Sequence, residues 1–241
     1  MDRHFLPRRT LVGMLFACLS QAGTLYEWDF EDPTGTLLSS TVSTGELKGA
    51  WDGDFDRSNT NGSGQFLIAR TPGGIANAFV RLSSSDLDSE EIWVILEIDG
   101  WNLEGKSAKE TLRLGIADIA HEERPHVLAQ IRLERTGPNE VSVLTEAFGD
   151  GAESMAPLPM FGATQNEPVT FALKIEAEKN RHSLYYQVGG GPLLFLGEGK
   201  TSPDRELNYL RFGLSGYFNA SDELLAINRI VVQTTPPGGD Q

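Results

Sequence analysis

The chain predicts an all-β fold, two antiparallel sheets packed face to face as a sandwich. Three observations carry this. Apolar and polar residues alternate with period two in one segment after another. Turn clusters such as GPNE, KNR, GGG and PDRE separate those segments, and glycine is abundant at 26 residues. No stretch has the spacing of an amphipathic helix; AKETL, residues 108–112, would support one helical turn and no more.

Taken in order, the chain begins with a leader. Arg3, Arg8 and Arg9 form a positive region, Leu11 to Leu19 a short apolar run, and Ser20-Gln21-Ala22 a small-x-small cleavage site. This pattern predicts a secretory signal peptide over residues 1–22 and a secreted, periplasmic or cell-surface protein. The apolar run is too short to span a bilayer. Leu15-Phe16-Ala17-Cys18 also resembles a lipoprotein box, so tethering through Cys18 is the alternative to release, and Arg8-Arg9 weakly resembles a twin-arginine signal. Cleavage after Ala22 removes the one cysteine, leaving a domain without disulfides that must rely on its core.

The strand segments follow. TLYEWDF, GQFLIAR and AFVRLS come first, then EIWVILEIDGW. In ETLRLGIAD, Leu112, Leu114 and Ile116 oppose Arg113; in HVLAQIRLER, Ile131 and Leu133 oppose Gln130, Arg132 and Glu134. EVSVLTEAF precedes VTFALKIEAE, where Phe171, Leu173 and Ile175 oppose Lys174 and Glu176. HSLYYQV and PLLFLGE lead to NYLRFGLSGYF, where Leu210, Phe212 and Leu214 oppose Arg211, Ser215 and Tyr217. LLAINRIVVQ is the last segment, and Ile227, Ile230 and Val232 are expected to pair with Trp28 and Phe30 and so join the chain ends in one sheet. The expected layout is one domain over residues 23–234 with a disordered tail at 235–241.

Composition excludes some partners. Hydrophobic content of 39 % and charged content of 22 % are ordinary for a globular protein and argue against disorder. The net charge of −14, which becomes −16 without the leader, repels nucleic-acid phosphates and anionic lipid. It leaves room for an acidic polysaccharide where local arginines reverse the field.

The opening YEWDFEDPTGTLL, the middle HSLYYQVGGGPLLFLGEG and the closing YLRFGLSGYFNASDELLAINRIVV together resemble the concanavalin A-like, laminin-G-like jelly roll. The resemblance spans most of residues 25–233 and implies a lectin-like fold. On that scaffold, outward-facing Trp101, Arg113, Gln130, Arg132, Tyr185, Gln187, Arg211 and Tyr217 would supply aromatic, amide and guanidinium groups for a polysaccharide, if they gather on one concave sheet. The expectation is an exported carbohydrate-binding domain without a required cofactor.

Two further readings stand beside it. The order Arg81 or Arg113, then Gln130-Ile131-Arg132, then Arg211 to Tyr217 is similar to jelly-roll alginate lyases. That likeness implies a β-eliminating lyase on a uronate polymer, with Gln130 and arginine neutralising the carboxylate and Tyr217 moving the proton. This chain has Arg132 where such lyases have histidine, and arginine is a poor base. The other reading is a structural cell-surface interaction domain with no sugar site. A glycosidase is disfavoured, because Glu97, Asp99 and Glu104 lack the spacing of a laminarinase-type pair.

Calcium has two candidate places. WDGDFDRSNTNGSG, residues 51–64, offers Asp52, Asp54, Asp56, Asn59 and Asn61 but lacks the glycine and closing glutamate of an EF-hand. The other reading of that stretch is a polar turn whose side chains bond their own backbone. Glu31 and Asp32 would meet Asp222 and Glu223 if the terminal strands pair; by resemblance to exported jelly rolls, a structural calcium would sit there. His121, His126 and His182 have no metal-ligand spacing.

Overall fold

The computed structural model describes residues 23–237 except 56–57, 70–74, 84–86, 88–90, 103–110, 121–125, 138 and 216–223. Fifteen strands are described, in two antiparallel sheets. They are β1 Thr24–Trp28, β2 Asn59–Thr60, β3 Phe66–Leu67, β4 Ala76–Arg81, β5 Ile92–Asn102, β6 Thr111–Ala117, β7 Val127–Gly137 and β8 Glu140–Glu146. After these come β9 Leu158–Phe161, β10 Thr164–Gln165, β11 Val169–Glu176, β12 Arg181–Val188, β13 Leu194–Lys200, β14 Tyr209–Ser215 and β15 Leu224–Gln233. Every long segment expected as a strand is one; the short β2, β9 and β10 carry too few residues to show alternation.

The nine-stranded sheet runs β13-β12-β11-β5-β15-β3-β2, with β1 also on β15 and β10 also on β5. The six-stranded sheet runs β4-β14-β6-β7-β8-β9. First and last strands pair as expected: Tyr26 lies opposite Val232 and Trp28 opposite Ile230. Their inward side chains, with Phe30, Trp51 and Phe66, form an aromatic end of the core, where Trp28 meets Trp51 at 4.9 Å between ring centroids.

Alternation decides what is buried. Leu112, Leu114 and Ile116 of β6, Ile131 and Leu133 of β7, and Leu210, Phe212 and Leu214 of β14 all join the core between the sheets. Ile227 and Ile230 are three apart, which alone would send them to opposite faces. The register of β15 against β5 shifts around Asn228 and again around Asp99, and these two residues approach each other, Asn228 Nδ2 to Asp99 Oδ1 at 3.5 Å. A bulge on each strand restores both isoleucines to the core.

At the β11–β12 hairpin, Asn180 takes a left-handed φ of 49° after the 3-10 turn Ala177–Lys179. Asparagine tolerates that backbone better than most residues, which is why KNR reads as a turn. Among the described residues, no helix is long and apolar enough to cross a membrane. The expected leader lies outside the described residues.

Candidate functional site

Strand pairing places four of the expected binding residues on the outer face of the six-stranded sheet. Arg113 of β6 lies opposite Arg132 of β7, and Gly115 lies between Gln130 on one side and Arg211 of β14 on the other. Glu146 of β8 is the cross-strand neighbour of Gln130. These side chains bond to one another. Gln130 accepts from Arg211 Nη1 at 2.8 Å and donates to Glu146 Oε2 at 2.7 Å. Arg132 donates to Glu146 Oε1 at 2.5 Å and pairs with Glu134 at 2.6 Å, while Arg113 Nε lies 3.6 Å from Glu146. Beyond them, Arg113 reaches Ser215 Oγ at 3.3 Å, and Thr111 bonds Ser215.

The glycine beneath this network is required by space. A Cβ on Gly115 would sit 2.2 Å from the Ala129 carbonyl oxygen and 2.3 Å from Gln130 Cα. Only glycine lets β6 and β7 close here, with Gln130 lying over its backbone and meeting the Arg211 guanidinium.

Three guanidiniums face two carboxylates, so this patch is net positive in an acidic chain. Most of it is sealed: Arg113 is 3 % exposed, Arg211 1 %, Gln130 0 % and Glu146 5 %. The part that reaches solvent is the Arg132–Glu134 pair, whose side chains are 16 % and 24 % exposed. The network therefore fixes the orientation of Arg132 and presents it at the surface. A guanidinium held this way is a directional donor for carboxylate or hydroxyl oxygens. Clamped between two carboxylates, it does not act as a proton acceptor.

The remaining expected residues lie elsewhere. Trp101 is a correction: it is 3 % exposed, packs edge-on against Phe161 at 5.4 Å, and donates its indole N–H to Gly162 O at 3.0 Å. The bulge at Asp99 changes the parity of β5, so Trp101 turns into the core instead of outward. Tyr185 and Gln187 are on β12 of the nine-stranded sheet and do not share a face with Gln130. Tyr185 packs between Trp93 and Phe195 there, and Gln187 bonds Gly191 O. Tyr217 lies outside the described residues. Glu146, the anionic hub, was missed in the sequence. Its only signal was its place at the polar end of EVSVLTE.

Neither calcium candidate forms a ligand set among the described residues. Asp54 accepts from both the backbone N–H and the hydroxyl of Ser39, at 2.8 and 2.7 Å. Asn61 accepts the Ser63 N–H at 2.8 Å and donates to Gln65 at 2.7 Å, and Asp52 exchanges backbone bonds with Phe79. Where it is described, the 51–64 stretch is a connection whose polar side chains are hydrogen-bonded within the protein, broken by the short strand β2. Glu31 is exposed and Asp32 half-buried, while Asp222 and Glu223 lie outside the described residues. No group of three or more His, Cys, Asp or Glu gathers to hold a metal among the described residues. Glu97 pairs with Arg229 at 3.3 Å and Asp99 accepts from Gln65 at 2.5 Å, so both carboxylates serve the outer face of β5. His126 turns to Asp118, 3.3 Å away.

No protein-family model matches the chain, and no curated protein matches it in sequence. Solved structures do match in shape. The botulinum neurotoxin serotype D binding domain superposes with a TM-score of 0.55 at 12 % identity, over 88 % of this chain and 48 % of that one. The protein has the concanavalin A-like jelly-roll fold. The Emp46p carbohydrate recognition domain, metal-free form, matches over 87 % of this chain and 99 % of its own, at 15 % identity and a TM-score of 0.49. Lectin II from Ulex europaeus matches over 86 % of this chain and 97 % of its own, at 6 % identity and a TM-score of 0.49. The jelly roll spans about half the length of the neurotoxin binding domain it matches.

Proposed function

We propose that this jelly roll is an exported carbohydrate-binding domain that recognises a polysaccharide along the outer face of its six-stranded sheet. The observation that carries the reading is the buried Arg113–Gln130–Glu146–Arg211 network, which holds Arg132 rigidly at the surface. Preorganised donors lose little entropy when they bind sugar oxygens. Retardation of the protein in gels containing a polysaccharide tests it. The expected result is retardation by at least one acidic polymer, weakened at least tenfold in Arg132→Lys, which keeps the charge but loses the planar fork. A protein that runs unretarded through every polymer would overturn the proposal and favour a structural interaction domain.

A lyase is the second reading, supported by Arg113, Gln130, Arg132 and Arg211 sharing one face, where Arg132, the member that reaches solvent, would draw charge from a uronate carboxylate. It needs Tyr217 as the proton carrier. Incubation with alginate or glucuronan, followed by ultraviolet absorbance, tests it. Rising absorbance from unsaturated uronate that vanishes in Tyr217→Phe supports elimination; flat absorbance with retained gel retardation leaves binding alone.

A further inference from the structure

A cavity of about 750 Å³ opens at the edge of the six-stranded sheet, beside the network but separate from it. Its wall includes Arg81 and Tyr209, paired across β4 and β14. Both lie on the same outer face as Arg211, one alternation further along β14, so the cavity continues that face. From the pairing register, the Cα atoms of Arg132 and Tyr209 are about 16 Å apart, two strands across and four residues along.

The opposite wall comes from the 48–49 segment. A Cβ on Gly49 would lie 2.7 Å from Val80 Cγ1 and 3.1 Å from Tyr26 Cδ1, so Gly49 is anchored against core side chains while the neighbouring Lys48 lines the cavity together with Arg81. Tyr26 completes this side, its phenol oxygen accepting the Ser83 N–H at 3.1 Å. The acidic groups in the wall are engaged. Asp118 is held by Arg205 at 2.6 Å, and Glu206 accepts from Asn208 at 3.1 Å. Lys48 and Arg81 have no carboxylate partner among the described residues; Lys48 bonds only the Ser43 carbonyl, at 3.1 Å. With Arg205 set against Asp118, Lys48 and Arg81 share the described wall with one remaining carboxylate, Glu206, so the cavity wall is locally net positive within an acidic chain.

We propose that this cavity binds one anionic sugar unit, a pyranose bearing a carboxylate or a sulfate. Lys48 and Arg81 hold the anion by charge-assisted hydrogen bonds, and the Tyr209 ring packs on the sugar. It rests on the glycan-binding reading above and extends it, making the cavity the end station of a chain that starts at Arg132. Because the cations face solvent, binding weakens as salt rises.

Titration calorimetry on the full chain tests this with three probe series of graded length: oligouronates, sulfated galactan oligosaccharides and neutral glucans. The proteins are wild type, the double variant Lys48→Ala/Arg81→Ala, Arg132→Lys, and Arg181→Ala on the other sheet as a control. The expected result is that affinity for one acidic series rises with length until the chain reaches the cavity. The double variant then loses at least tenfold for the long oligomers, and the control is unchanged. The series that binds tells carboxylate from sulfate. If wild type binds none of the series, the glycan-binding reading itself fails and takes the pocket with it. If wild type binds an acidic series, Arg132→Lys weakens it, and the double variant stays within twofold of wild type, the pocket alone is refuted. Neutral glucans bound as tightly as acidic ones would refute it too.

Discussion

On the outer face of the six-stranded sheet, long polar side chains point at one another. On the outer face of the nine-stranded sheet, they stand around an apolar patch. The first face gathers Arg113, Arg132, Arg211, Gln130 and Glu146 into one network, nearly all of it sealed from solvent. The second buries Trp93, Ile95, Ala172 and Val231 as a small cluster apart from the main core, with Tyr185 on Trp93 at 5.3 Å and Phe195 55 % exposed. Its ions form two clusters, Arg229 with Glu27 and Glu97, and Lys174 with Glu91 and Glu176, and most of their side chains are partly exposed. The same two-residue alternation builds both faces. The difference is burial of the whole set: the first face seals two arginines, the amide and the carboxylate together, while among the ions of the second only the hub Glu176 is buried and its partners Lys179 and Arg181 stand in solvent.

Glu146→Gln should break the first face most. Arg113 and Arg132 would lose their shared, buried anion and Gln130 its acceptor, and a loss of about 3–5 kcal/mol is expected. Urea unfolding should show the midpoint fall with the slope unchanged. A loss below about 1 kcal/mol would mean that the network is not cooperative.

Beneath both faces, His182 tests the seam between the sheets. It is 0 % exposed, and its Nε2 shares a hydrogen bond of 2.7 Å with Thr145. Burial holds its pKa at about 4, below the ordinary 6.5. The folded protein resists protonation there, so this contribution is complete above pH 6.5 and falls away as pH drops towards 4. The expected loss is about 3 kcal/mol, read from melting midpoints across that window and flattened in His182→Gln. Glu176 acts lower. Burial alone would raise its pKa, but hydrogen bonds from Lys179 and Arg181 outweigh this and hold it at about 2. Its contribution is present above pH 4.5 and is lost only as pH falls from there through 2.

Gly115→Ala sharpens the comparison by geometry alone. The added methyl meets the β7 backbone, and about 2 kcal/mol should be lost as β6 and β7 are forced apart. Smallest is Arg229→Ala on the second face, about 0.5 kcal/mol in a double-mutant cycle with Glu27, and less at high salt.

Much of this was legible in the sequence. Period-two alternation put Arg113, Gln130, Arg132 and Arg211 on the side of their strands away from the apolar core, because strand geometry leaves each side chain only two directions, but it did not show that three of them would be sealed from solvent. Trp101 was misplaced because a bulge at Asp99 changes parity, and a bulge has no signature in so short a window. Tyr185 and Gln187 were rightly read as outward but belong to the other sheet, since alternation does not say which sheet a strand joins.

The amino-acid order by itself determined that the chain makes strands, which side chains point inward, and that the protein is strongly acidic. Only the tertiary structure decided which outward groups become neighbours: β14, nearly a hundred residues after β6, lies beside it and completes the Arg211–Gln130–Glu146 line. The physical reason is that alternation is a property of one strand, while a charged network depends on register among four.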